Sequence, residues 1–235
     1  MNPYGHWYCF GNRFLLGFVG NSMRPLFLLL LGAFSVCAQP FSFGVKGGVP
    51  LTDFVDIVQS PDRVDFHTNT SRYIVGPTVE LRLPFGFGVE LDALYRHLNY
   101  TSSGGLIDTI ANSKTTGNAW EFPLLAKYRF PSEVVRPYVD AGIAWDTLQG
   151  LKQTVTNTVI ASGITTTTTT SNPAELHKNT TTGFVIGAGI DVHALLIHIS
   201  PEVRYTRWGA QHFLSSNGGL QSSQNQAEFL LGITF

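Results

Sequence analysis

Residues 118–130 read NAWEFPLLAKYRF, and their alternation decides the fold. Trp120, Phe122, Leu124, Ala126, Tyr128 and Phe130 fall on one side of an extended strand, with Glu121, Leu125, Lys127 and Arg129 on the other. Successive strand side chains point to opposite faces, so this period of two predicts a strand with one apolar and one charged face.

The pattern recurs. Period-two alternation predicts strands over 41–51, 73–83, 87–99, 118–130, 137–147, 182–192, 195–207 and 225–235. In FGVELDALYR, Val89, Leu91, Ala93 and Tyr95 oppose Glu90, Asp92 and Arg96. In IHISPEVRY, Ile197, Ile199, Val203 and Tyr205 oppose His198, Glu202 and Arg204. Each segment exceeds the ~5–6 residues of an average globular strand. No segment beyond Gln39 carries a helical period.

Alternation alone leaves open which face points inward. A soluble barrel buries its apolar face; a membrane barrel turns that face to lipid. Connection lengths favour the membrane. PFG (84–86), PSEVVR (131–136) and VHA (192–194) are short, whereas 52–72, 100–117, 148–181 and 208–224 are long. Long and short alternate strictly, which puts every long loop at one end and is the habit of outer-membrane barrels. Trp120, Tyr128, Phe130, Phe87, Tyr95, Trp145, Tyr205 and Phe235 lie near strand ends, where amphipathic rings form interfacial girdles. Eleven residues at ~3.3 Å each, tilted about 40°, rise roughly 28 Å, enough for an apolar band of ~25 Å. An even strand number puts both termini on the short-turn, periplasmic side.

Composition agrees. The chain has 235 residues, of which 13% are charged, about half the usual ~25%. Its net charge is −1, and no basic stripe offers a footprint for nucleic acid. The apolar run MRPLFLLLLGAFSVCAQP, from Met23 to Pro40, reads as a secretory signal peptide. Arg24 starts it, Leu26 to Phe34 form its core, and small residues place the cut after Ala38. Residues 1–22 read as an extension ahead of a start at Met23. Cys9 and Cys37 both precede the cut, so the mature chain 39–235 holds no cysteine for a disulfide, a thiolate site or a nucleophile.

With WEFPLLAKYRF, PYVDAGIAW, SPEVRYTRW and the terminal EFLLGITF in view, residues 39–235 resemble the small outer-membrane β-barrel family, the OmpA-like or porin-family barrel domains of diderm bacteria. The resemblance implies an all-β, eight-stranded, antiparallel, up-and-down transmembrane barrel in the bacterial outer membrane. It implies outer-membrane lipids as partners, and barrel-insertion machinery that reads Phe235 as a terminal insertion signal. A monomer is expected. The motifs specify an architecture and no activity.

Small barrels of this kind include lipid A acyl hydrolases and transferases, so catalytic constellations matter. His67, His177 and His212 fall in predicted loops and His193 in a short turn, which leaves His97 and His198 on strands. His198 and Glu202 share a face but lie ~13 Å apart along a strand, beyond hydrogen-bond reach. Ser200 lies between them, and Asp191 stands across the turn. No histidine cluster has metal-ligand spacing. Asp53, Asp56, Asp62 and Asp65 make the first long loop acidic, a solvated loop before a Ca²⁺ site. GAGIDV lacks the third glycine and the helix of a dinucleotide motif. No catalytic, cofactor or metal residue is assigned.

The charged faces carry the candidate site. Lys46, Glu80, Arg82, Glu90, Asp92, Arg96, Glu121, Lys127, Arg129, Asp140, Asp191, Glu202, Arg204 and Glu228 are predicted to face the lumen. Eight strands enclose an interior that side chains can fill, and buried charges there are costly unless paired. A pairing network that plugs the barrel follows. Glu80, Arg82, Glu90 and Asp92 are expected to meet Arg96, Arg129 and Arg204.

Two local features complete the reading. Pro77, Pro123 and Pro201 sit inside predicted strands, where each removes a ladder donor; bulges are expected there. QTVTNTVIASGITTTTTTSN (153–172) predicts a threonine hairpin turning at Ser162-Gly163. The function that fits is a non-enzymatic outer-membrane protein, structural or surface-interacting through its loops. A lipid-modifying enzyme and a soluble periplasmic ligand-binding barrel are the alternatives.

Overall fold

In a computed structural model, residues 41–57, 64–68, 72–106, 108–132, 135–194, 197–214 and 220–235 are described. The signal-peptide and start-site readings lie outside these residues. The described chain is built from strands: β1 (Phe41–Pro50), β2 (Val55–Ile57), β3 (Val64–Thr68), β4 (Ile74–Arg82), β5 (Phe87–Asp92), β6 (Leu94–Leu106) and β7 (Thr109–Arg129). Then follow β8 (Val135–Val159), β9 (Thr165–Thr170), β10 (Thr180–Ala194), β11 (Ile197–Trp208), β12 (Leu220–Ser222) and β13 (Asn225–Thr234).

Eight antiparallel staves close into a barrel, in the order β1, β4, β5 with β6, β7, β8, β10, β11 and β13. The ring shuts where β13 pairs back onto β1, Thr234 opposite Gly44 through Glu228 opposite Pro50. Parity follows the sequence. Along β7 Leu125 is fully buried while Leu124 is 39% exposed, and the alternation holds from Ala119 to Arg129. Outside stand Phe43, Leu124, Ile143, Phe184, Val203 and Leu231; inside stand Lys46, Glu90, Lys127, Glu202 and Arg204. An apolar exterior around a charged interior is stable in lipid and not in water.

The prolines do not make bulges. Pro77 faces Val45 on one side, and on the other the register is the same before and after it, Thr78 opposite Asp92 and Val75 opposite Tyr95. Ala93 donates its N–H to the Pro77 carbonyl at 3.0 Å, a bond proline cannot reciprocate. Pro123 leaves a gap in register on the opposite flank of the same residues, between Leu91–Leu124 and Leu94–Glu121. Between these two prolines the third stave breaks into β5 and β6. Pro201 likewise faces a skipped stretch of β10, between Gly189–Glu202 and Val192–Ile199. A missing donor therefore interrupts one ladder without adding a residue. The register shift lies elsewhere, between Thr116 and Asn118 of β7 opposite Gly150 of β8. Gly150 has φ +61°, the left-handed conformation that a bulge of this kind gives to glycine.

Two connections predicted as long loops are largely strand. β6 and β7 pair out to Leu106 opposite Thr109, and β7 and β8 pair out to Thr109 opposite Val159. β8 then folds onto β9, Gln153 opposite Thr170 through Thr158 opposite Thr165, as the predicted threonine hairpin. Gly163 takes φ +67° in its turn. With β3 on β6, these strands extend the wall past the barrel on one side. The third predicted short turn, 192–194, is strand: Val192, His193 and Ala194 are paired in β10, and His193 stacks on His198 with centroids 4.5 Å apart.

Candidate functional site

The fourteen predicted lumen residues all lie on the inner face; Arg82, at the short-turn rim, is half-buried and the others are buried. They sort into three tiers.

The middle tier is the densest. Lys46 of β1 places Nζ 2.5 Å from Glu90 Oε1, 3.0 Å from Glu202 Oε2 and 3.3 Å from Asp92 Oδ2. Lys127 of β7 pairs with the other oxygen of Glu90 and lies over the Tyr138 ring, 4.2 Å from its centroid. Arg204 of β11 reaches Asp92 at 3.0 Å, Glu90 at 3.4 Å and Glu202 at 2.7 Å. The Tyr138 hydroxyl donates to Glu202 at 3.1 Å. Gly189 makes room for that ring: a Cβ there would lie 2.5 Å from it. Each carboxylate shares its cations with another, which is how a narrow low-dielectric lumen holds charges that would be prohibitive singly. Asp140 lies in this tier but forms no ion pair among the described residues.

Toward the short turns, Arg129 grips Glu80 through both terminal nitrogens and donates from Nε to Asp191 at 3.1 Å. Arg82 turns to His198 at 3.1 Å and to the Ser42 hydroxyl at 3.4 Å, and stands 3.9 Å from Glu80. Asp191 accepts from both His198, at 3.2 Å, and Ser200, at 3.4 Å. Serine and histidine thus share an acceptor instead of forming a nucleophile and base.

Toward the long loops, Arg96 lies 4.0 Å from Glu121 and 3.7 Å from Glu228. Here the predicted meeting fails: Arg96 finds these two acids, not those of β4 and β5. Its guanidinium carbon sits 4.8 Å above the Phe54 ring. Gln226 donates to Glu228 and accepts from the Trp208 indole at 2.9 Å.

This tier holds residues the sequence reading missed. Asp146, fully buried, lies 3.2 Å from His212 Nε2; it shares parity with Asp140, which was the available signal. Phe54 and Phe213 enter the mouth from the first and last long connections. They pack with Leu98, Tyr100, Ala119, Leu148 and Leu151 in one apolar cluster, Tyr100 edge-on to Phe213 at 5.4 Å. The loops that deliver them are knitted together. β2 pairs with β12, Ser223 donates to the Phe54 carbonyl at 2.9 Å, and the Ser222 hydroxyl accepts from the N–H groups of His212 and Phe213. Paired charges occupy the middle of the lumen and aromatic packing occupies its mouth.

The remaining candidates scatter. His97 contacts Asn118 at 3.0 Å. His67 lies in β3, not a loop, and His177 is exposed. Asp53 is exposed, while Asp62 and the side chains of Asp56 and Asp65 lie outside the described residues. GAGIDV (187–192) lies within β10.

Residues 26–235 match the outer membrane protein beta-barrel domain family. No curated protein matches the chain. Among solved structures, it is similar to the outer membrane protein OprG from Pseudomonas aeruginosa, with 16% identity over 83% of this chain and 92% of that one and a TM-score of 0.47. The N-terminal β-barrel domain of Pseudomonas aeruginosa OprF gives 18% identity over 84% and 98%, with a TM-score of 0.34. The attachment invasion locus protein Ail of Yersinia pestis, solved with the heparin analogue sucrose octasulfate, gives 9% over 84% and 100%, with a TM-score of 0.37. By the family match the chain belongs to the outer membrane protein beta-barrel domain family, and its place is the bacterial outer membrane.

Proposed function

We propose that this outer-membrane barrel is a plugged, non-enzymatic protein that works as a monomer through its long-loop rim. The observation that carries the reading is the span of Arg204 from its own wall to Asp92 and Glu90. Side chains that bridge the lumen leave no continuous water path for a diffusion pore. What the barrel then offers is the extended wall, where the hydroxyls of Thr154, Thr156 and Thr158 face those of Thr169, Thr167 and Thr165 at an exposed outer edge. That hydroxyl-rich edge is the surface proposed to meet an extracellular partner. Catalysis is not favoured, because His198 and Ser200 both spend their donors on Asp191. Phe235 continues the aromatic girdle, its ring 6.3 Å from that of Phe43, as suits a terminal signal for insertion machinery. Single-channel recording of refolded protein in planar bilayers tests the plug: silence or rare small openings are expected, and steady porin-sized conductance refutes it.

A further inference from the structure

At the short-turn rim, a recess of about 590 Å³ opens between the β4–β5 turn and the start of the β7–β8 connection. Two chemistries meet in its walls. Arg82, Arg129 and Arg136 supply guanidinium groups, and Phe85, Phe87, Tyr128 and Phe130 supply rings. Three of the rings run in sequence, with centroids 5.0 Å apart for Phe87 and Tyr128 and 5.2 Å for Tyr128 and Phe130.

The arginines are not equally committed. Arg129 is held by Glu80 and Asp191. Arg82 engages His198 and Ser42 through its terminal nitrogens, and its buried Nε stands 3.9 Å from Glu80. Arg136 is exposed and is anchored through Nε to the Ser132 carbonyl at 3.0 Å, which leaves its terminal pair available. Among the described residues, two carboxylates, Glu80 and Asp191, stand against the three guanidinium groups of the recess.

Phe85 is the telling residue. It is 91% exposed and takes φ +64° in the turn, a region a bulky side chain rarely adopts. The fold accepts both strain and exposure to hold this ring at the rim, just beyond the lipid-facing Phe87. An anion alone gains nothing from four rings, and an alkyl chain alone gains nothing from the arginines. Arginine recognises phosphate through paired donors, and aromatic rings settle at the headgroup level.

We infer that this recess is a binding site for an anionic phospholipid of the short-turn leaflet, its phosphate on Arg136 and Arg82 and its acyl chains along Phe85, Phe87 and Tyr128. The inference stands apart from the plug: a conducting barrel could carry the same site.

The test is native mass spectrometry of the refolded full chain in detergent, titrated with dioleoyl phosphatidylglycerol, dioleoyl phosphatidylcholine or inorganic phosphate. Phosphatidylglycerol is expected to be retained about fivefold better than phosphatidylcholine, the preference that roughly one basic side chain near a membrane surface confers. Arg136→Gln should remove that preference, and Phe85→Ser should weaken both lipids while leaving phosphate unaffected. Ser132→Trp, which fills the recess from an exposed position, should exclude lipid without touching an arginine. Arg207→Gln, an exposed change outside the recess, should change nothing. Equal retention of the two lipids by the unsubstituted protein overturns the site, as does an Arg136→Gln variant that keeps the preference. Displacement of phosphatidylglycerol by millimolar phosphate, equally with and without Phe85, would mark a free-anion site and overturn the lipid.

Discussion

Arg204 and Asp92 stand on opposite walls of the barrel, on β11 and β5, and their side chains meet at 3.0 Å, Nη2 to Oδ2. Four stave-to-stave steps separate them in either direction around the ring, so this contact crosses the lumen. Arg204 also donates to Glu202 on its own strand at 2.7 Å, which fixes the guanidinium before it crosses. Arg204→Ala would leave Asp92 and Glu202 short of a cation in a closed interior. A loss of about 3–5 kcal/mol is expected from breaking such a buried pair, read as a lower urea midpoint for unfolding from vesicles. Water entering the gap would reduce the loss and appear as new openings in bilayer recordings. No change in either measurement would place Arg204 outside the network.

Leu124 and Leu125 test parity. Leu124 lies outward near the middle of β7, so Leu124→Arg should cost about 2–4 kcal/mol, the value for arginine at the midplane of such barrels. Leu125→Arg, on the lumen side, meets a different obstacle. Leu125 is fully buried and packs with Ala144, Val185 and Trp208, so an arginine there overfills a tight site, at about 1–3 kcal/mol, besides adding a charge. The two costs differ in origin. The Leu124 penalty should shrink in a thin bilayer and the Leu125 penalty should not, as refolding titrations in lipids of two chain lengths will report.

What the sequence made legible was whatever the bilayer enforces. Between lipid and lumen every strand must alternate, and Leu124 beside Leu125, or Glu90 between Val89 and Leu91, expose parity and stave together. Beyond the bilayer both faces of a strand meet water, so the contrast disappears. That is why Thr101 to Leu106 and Thr109 to Thr116 read as loop although they are paired strand. The prolines misled for a related reason: a lost donor suggests a bulge in sequence, whereas at Ala93 the register passes through unchanged. Phe54 and Phe213 had no period to betray them. A single aromatic in a polar loop acquires meaning only when its partner, some 160 positions away in the chain, folds beside it.

The threonine hairpin should be separable from the barrel. Thr165 to Thr169 are exposed, and the strand partners of β9 among the described residues all belong to β8. Replacing residues 161–169 by a short glycine–serine turn should leave heat-modifiable mobility and the urea midpoint unchanged, since exposed changes usually fall within about 0.5 kcal/mol. A lowered midpoint would show that the wall supports the staves. Loss of binding to an extracellular ligand with the midpoint intact would locate recognition on this edge.

On the plugged reading the mouth and the middle of the lumen act as two barriers in series, and they should fail separately. Phe213 is fully buried, edge-on to Tyr100 and 6.5 Å from Phe54. Phe213→Ala should cost about 3–5 kcal/mol if the cavity stays open, and less if the knitted loops collapse into it. The ionic tier below is held by its own pairs: Lys46, Glu90, Asp92, Glu202 and Arg204 contact one another. Phe213→Ala alone should therefore admit small solutes to the upper lumen and leave the membrane non-conducting. The measurements are quenching of the Trp208 indole, buried below the mouth, by acrylamide and by iodide, alongside bilayer recording. Faster acrylamide quenching without current is the expected pair. Steady current from Phe213→Ala alone would mean that the aromatic stopper is the sole gate and that the charges beneath it do not block the path. Silence from Phe213→Ala combined with Arg204→Ala would mean that the remaining side chains, Leu125, Leu94 and Leu230 among them, suffice to fill the barrel.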